Sequence, residues 1–239
     1  MGAAETMPTV DRRPWGLGHV FFGLLLAEAA VLAAIFAFGS GSLEGEFDDL
    51  SLEMIAVLQA ALWLGTLGVP GWLVWVRKVS WSELGWGFRR RDTVSGLLIG
   101  IGTQVVAVPL LYLPLMLLVD DLDIAEPARD LVDKATGAGV ALLVLVVVIG
   151  APVVEEVFYR GLTLRALEGR MRPTFALVVS SLLFAVIHFQ VTQFPALLLF
   201  GLVAGRLAQK DGRIGRAIWA HIGFNATTII ILLLPVPTI

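Results

Sequence analysis

The sequence predicts an all-α fold: a polytopic transmembrane helical bundle of about seven spans, within a range of six to eight. Three observations predict it. Hydrophobic residues make up 57% of the 239 residues and charged residues 15%, with a mean hydropathy of +0.85. A soluble domain carries roughly 25% charged residues, and this much apolar surface does not fit inside one small water-soluble globule. The apolar residues are also gathered into long runs, and basic residues alternate between the loops that join those runs. Open sheets are excluded, because lipid leaves their edge N–H and C=O groups unsatisfied.

In chain order the runs are 17–38, 55–76, 94–119, 140–159, 175–189, 194–207 and 217–234. A helix needs about 20 residues to cross the hydrocarbon core, which the first four and the last provide. The fifth and sixth are short and read as tilted, buried among other helices, or partly re-entrant. The first run follows Arg12 and Arg13. It exceeds the roughly 7–15 residues of a signal-peptide core and lacks a convincing cleavage site, so it reads as a retained span. No internal repeat, linker or second domain is visible. The expectation is one integral membrane domain over 1–239, with its motif-bearing part at 140–234. Between the second and third runs, the Trp-rich stretch 81–88 precedes Arg89, Arg90 and Arg91 and suits the headgroup layer.

Charge placement tests this map. Seven spans starting inside put 14 of the 17 basic residues in the cytoplasmic loops, with Arg129 and Lys134 outside and Arg160 at a span end. The positive-inside rule predicts that bias. The long outer loops are acidic, with Glu44, Glu46, Asp48 and Asp49 in one and Asp120, Asp121, Asp123, Glu126, Asp130 and Asp133 in the other. The reading is an integral protein of a bacterial cytoplasmic membrane, with the N-terminus inside and the C-terminus outside. A net charge of −3 gives no reason to expect nucleic acid as a partner. The absence of cysteine excludes disulfides, thiolate metal sites and a Cys nucleophile. Gly2 with Thr6 fits the loose myristoylation pattern and Asn225-Ala-Thr227 the glycosylation sequon. One acyl chain adds little to an integral protein, and the sequon lies in an apolar run, so both read as chance.

Ionisable groups inside spans are costly and by default functional. Glu155, Glu156 and Arg160 end the fourth run, His188 lies in the fifth, His221 and Asn225 in the seventh, and Glu28 in the first. Glu156 and Arg160 are spaced i,i+4 and pair on one helix face. Glu155 is rotated from Glu156 by about 100°, since a helix has 3.6 residues per turn. Its own i+4 neighbour is Tyr159, so it keeps no charge partner on its helix and is the candidate general base. The three charges alternatively form one ion cluster at the membrane edge. His221 and Asn225, again i,i+4, can bond one small group. Two chemistries fit the set. His188, His221 and Glu155 could bind zinc with water in the open position, although no H-E-x-x-H spacing supports it. Without a metal, Glu155 helped by His188 deprotonates a water that attacks a carbonyl, while His221 and Asn225 donate to the oxyanion. Glu28 has no visible partner and no assigned role.

Three segments, Glu155-Glu156-Val-Phe-Tyr-Arg160, Phe184-Ala-Val-Ile-His188 and His221-Ile-Gly-Phe-Asn225, resemble the E-E-x-x-x-R, F-x-x-x-H and H-x-x-x-N motifs of the CPBP intramembrane proteases. That family includes the type II CAAX prenyl endopeptidases and bacterial relatives linked to bacteriocin processing and self-immunity. The motifs occur in order on separate apolar runs, and Ser82-Glu-Leu-Gly85 resembles a further family feature. The resemblance implies an intramembrane endopeptidase with its active site buried in the membrane. Glu155 would be the base, Glu156 and Arg160 its support, and His188, His221 and Asn225 the rest of the site. A glutamate-type mechanism needing no cofactor is implied, with zinc as the older alternative. The partners implied are a peptide or protein substrate, which can be membrane-associated, and the bilayer. In a bacterial membrane a prenylated substrate is not expected.

Two rivals use the same residues: a non-catalytic membrane binding or immunity protein, and a small transporter relaying protons through Glu28, Glu155 and Glu156. The second lacks the inverted repeat or broken-helix pair that transporters show. Ideal spans also place Glu155 and His221 toward the cytoplasm but His188 toward the outer face. The expected resolution is a fourth helix that runs past Arg160 toward Arg165 and a fifth shorter than the bilayer.

Overall fold

A computed structural model describes residues 13–38, 50–119 and 123–234. Arg12, Glu44, Glu46, Asp48, Asp49, Asp120 and Asp121, and the terminal positions Gly2, Thr6 and Ile239, lie outside the described residues. The chain is an all-helical, polytopic bundle: α1 (Leu17–Phe38), α2 (Leu52–Trp75), α3 (Arg90–Met116), α4 (Glu126–Asp133), α5 (Ala138–Glu168), α6 (Pro173–Val186), α7 (Phe194–Asp211) and α8 (Gly215–Leu233). Among the described residues, α1, α2, α3, α5 and α8 are long and apolar enough to cross a membrane. Helix α6 is apolar but has 14 residues, and α7 has 18, including Arg206, Lys210 and Asp211. The seven apolar runs thus become seven long helices. The eighth, α4, is a short amphipathic helix in the loop that the sequence assigns to the outside.

Contacts between loops show that the long helices alternate in direction. At one end, Arg13 bonds to the Arg165 carbonyl, Arg165 to the Gly212 carbonyl, and Arg213 to Asp92. The Ile214 N–H also donates to the Gly85 carbonyl. At the other end, the Tyr112 hydroxyl donates to the Thr192 carbonyl at 2.6 Å, the Gln193 amide donates to the Ile124 carbonyl, and Val132 and Ala135 pack with Leu52 and Ile229. The basic loops are therefore gathered at one end of the bundle. The stretch 81–88 is more than an interfacial loop. Leu84 is buried beneath α5, while Trp81, Trp86 and Phe88 stack on one another and remain exposed. Bonds from the Ser80 N–H and hydroxyl to the Glu83 side chain hold that carboxyl below the usual carboxylate range.

Close helix approach depends on small residues, as expected where lipid tails are as apolar as the helix faces. Gly96 and Gly100 of α3 lie directly on the α8 backbone, and Gly223 of α8 lies on that of α3. Gly65 of α2 rests against the Ala27 backbone of α1, and Gly201 of α7 against Ser181 of α6. Helix α5 is central, touching α1, α2, α6, α7 and α8.

Three stretches of these helices are π-helical: Thr103–Ala107, Val144–Gly150 and Glu156–Thr163. The first two run up to Pro109 and Pro152. A proline in a helix has no N–H to give and its ring collides with the carbonyl four residues back. Widening the turn relieves both, and the bonds Val108 N–H to Thr103 O and Ala151 N–H to Val146 O span five residues. The third stretch contains no proline. All eight of its residues are buried, and Gly161 lies against the Leu84 carbonyl.

Candidate active site

The depth conflict anticipated from ideal spans is resolved by helix length. Helix α5 continues past Arg160 to Glu168, which places Glu155 about 20 Å from its end at 1.5 Å per residue. Helix α6 covers about 21 Å by the same rise, and His188 follows just after it. The two therefore stand at similar depth.

Glu156 is fully enclosed, at 0% exposure, and Arg160 is at 1%. The Arg160 Nη1 donates to Glu156 Oε1 at 2.9 Å and its Nη2 to the Gly201 carbonyl at 3.1 Å. Its guanidinium carbon lies 4.5 Å from the Phe184 ring centre, a cation–π distance. His221 Nδ1 meets the same Glu156 oxygen at 2.9 Å. Glu155 takes a different position. Its Oε2 lies 3.8 Å from His221 Nε2 and 3.9 Å from His188 Nε2, while His188 Nδ1 sits 2.6 Å from the Phe184 carbonyl. The pairing of Glu156 with Arg160 and the separate environment of Glu155 match the helical-spacing argument. The 100° rule itself applies only as far as Glu155, where the π-helical stretch begins.

Hydrogen-bond logic assigns the ring protons. A carbonyl only accepts, so His188 Nδ1 must donate to Phe184. A carboxylate paired with Arg160 also accepts, so His221 Nδ1 must donate to Glu156. With each ring in its neutral form, the unprotonated Nε2 faces Glu155 Oε2. Both Nε2 atoms thus lie just beyond direct hydrogen-bond range of Glu155 Oε2. A water bridging Glu155 Oε2 to either Nε2 uses both of its hydrogens, since contacts beyond about 3.5 Å are bridged in this way.

Zinc does not fit the same atoms. Tetrahedral zinc holds N and O ligands at about 2.0–2.2 Å, which sets ligand atoms roughly 3.3–3.6 Å apart. The spacings here are wider, and among the described residues no group of three His, Asp or Glu has metal-binding geometry.

Asn225 is placed differently from the other five residues. Its amide donates to the Val147 carbonyl at 2.8 Å, in the first π-helical stretch of α5. None of its hydrogen bonds among the described residues reaches either Glu or either His. It fastens α8 to α5 and keeps one N–H in reserve, because the side-chain amide has two.

Glu155 and His188 line a cavity of about 260 Å³, together with Glu28, Gln59, Thr66, Tyr159 and Gln190. The sequence flagged Glu28 but gave it no partner, and Gln59 went unremarked. A polar residue in the middle of an apolar run is the signal that would have found both.

Residues 137–227 match the family model described as type II CAAX prenyl endopeptidase Rce1-like. The matched segment contains all six motif residues and begins near the expected boundary at 140. No curated protein and no solved structure matches the chain. The all-helical bundle and the apolar spans are compatible with that match, and the segment 137–227 is similar to the type II CAAX prenyl endopeptidase Rce1-like family.

Proposed function

We propose that this chain is an intramembrane endopeptidase in which Glu155 activates water. The observation that carries the reading is the contrast between neighbours: Glu156 is locked by Arg160 and His221, whereas Glu155 lines a cavity and has the Nε2 atoms of two His beside it. A water donating to Glu155 Oε2 and to one of the two Nε2 atoms gives one proton to Glu155 as its oxygen attacks the peptide carbonyl carbon. Glu155 then passes that proton to the leaving nitrogen as the C–N bond breaks, giving a carboxylic acid, which keeps the second water proton, and an amine. The reserve N–H of Asn225 supports the oxyanion. His221 Nε2 joins it only when the ring carries a second proton. The substrate is a peptide or protein segment that reaches the cavity from the membrane or its surface. The whole chain acts as one membrane domain, with the machinery in 140–234.

Purified wild type and Glu155→Gln in detergent, assayed on a peptide library, test this. Loss of general-base catalysis lowers turnover by about 10²–10⁴-fold, with melting temperature preserved. A Glu155→Gln protein that cleaves normally would instead favour the reading as a non-catalytic binding or immunity protein.

A further inference from the structure

Glu28 stands mid-way along α1, exposed on that helix and flanked by apolar residues on both sides. A carboxylate at such a position is costly and needs a partner or a polar cavity. Among the described residues it makes no ion pair or hydrogen bond. What it has is a place in the lining of the Glu155 cavity, which Gln59 of α2, Tyr159, His188 and Gln190 also line. Neither glutamine amide has a hydrogen-bond partner among the described residues. The cavity thus holds two carboxylates, and neither Lys nor Arg lines it. Arg160, one turn from Glu155, is occupied by Glu156, Gly201 and Phe184.

We infer that Glu28 and Gln59 form a substrate subsite that accepts a Lys or Arg side chain next to the bond cleaved. This rests on the proposed peptidase reading and adds the substrate class. A cationic side chain supplies the counter-charge the cavity lacks. An acidic side chain meets two like charges and is rejected, the repulsive half of specificity. The glutamine amides match the backbone N–H and C=O groups of an extended substrate, which find no partner in lipid.

The test uses otherwise identical apolar peptides carrying Lys, Met or Glu, scanned through the positions flanking the cleaved bond. Wild type should show kcat/KM about 10–100-fold higher for Lys than for Met at one position, the size of a charge-assisted hydrogen bond, with Glu disfavoured there. Glu28→Gln should bring the Lys-to-Met ratio close to one. Gln59→Lys, which places a cation in the cavity while keeping Glu28, should do the same. Binding of the fluorescent Lys and Met peptides to the Glu155→Gln and Glu155→Gln/Glu28→Gln proteins reads the same ratio without cleavage. The subsite therefore stands or falls even if the catalytic reading fails. A wild-type ratio near one at every position, or a ratio unchanged by Glu28→Gln, overturns the inference. So does a Glu28→Gln protein whose pH profile shifts while its ratio holds, because that outcome marks a proton relay.

Discussion

Replacing Glu156 by Gln should cost far more stability than replacing Glu155. The loss follows from Arg160, which is almost wholly buried and, among the described residues, has Glu156 as its sole carboxylate partner. Breaking a buried pair from one side costs about 3–5 kcal/mol. At about 2–4 °C per kcal/mol for a chain of this size, that is roughly 6–20 °C in apparent melting temperature. The remaining contacts of Arg160, the Gly201 carbonyl and the Phe184 ring, carry no negative charge. Adding Arg160→Met should recover part of the loss, since no lone charge remains and Gly201, inside α7, keeps its helical bond. The assay is a melting series on wild type, both single variants and the double variant in one detergent, at one heating rate because membrane-protein unfolding is commonly irreversible. If Glu156→Gln melts with the wild type, or if the double variant is no more stable than Glu156→Gln alone, the pair is not what holds this part of α5.

Three further outcomes follow. Asn225→Ala removes the donor to Val147; it should lower stability by about 0.5–1.5 kcal/mol and also reduce cleavage, whereas a stability loss with full activity would make Asn225 a fastener only. At Gly100 an added Cβ overlaps the Ala220 carbonyl and the Phe224 nitrogen, so Gly100→Ala should destabilise by about 1–3 kcal/mol and, by displacing the residue beside His221, slow cleavage; a neutral result in melting would mean that α3 and α8 separate freely. Because the chain has no cysteine, single cysteines placed at Thr6 and Ile239 report orientation directly; labelling from opposite sides, Thr6 cytoplasmic, is the expected result, and both labelling from one side would require an even number of spans.

The fold was legible because lipid makes hydropathy a direct readout of helix position. The seven runs fall on the seven long helices, with ends shifted by a few residues. The π-helical stretches were less legible: Pro109 and Pro152 signal the first two, but the stretch after Glu155 has no local breaker. It depends on packing against Leu84, which sequence spacing cannot show. The three motifs placed five of the six site residues in mutual contact, since Glu156, Arg160, His221, Glu155 and His188 are linked at 2.9–3.9 Å. Asn225 departs because i,i+4 spacing fixes a helix face and leaves the partner open; here the partner is the Val147 carbonyl. Glu28 was visible as a charge in an apolar run, yet the cavity that gives it a setting forms only when α1 and α2 pack against α5.

Two adjacent glutamates on one helix repel each other unless something separates their charges. Here the separation is achieved by a chain of contacts: Arg160 to Glu156, Glu156 to His221 Nδ1, and His221 Nε2 toward Glu155. Arg160 cancels the Glu156 charge, and the cancelled carboxylate still orients the imidazole by accepting its Nδ1 proton. The orientation of His221 is thereby set from the side away from the cavity, leaving Nε2 free to face Glu155. Damage at Glu156 should therefore reach Glu155 through His221 as well as through stability. An amide at position 156 offers an N–H as readily as a carbonyl, so the ring is no longer held in one tautomer. At a temperature well below its melting point, Glu156→Gln should still turn over more slowly than wild type. Full activity there would mean that Glu156 stabilises the bundle without positioning His221.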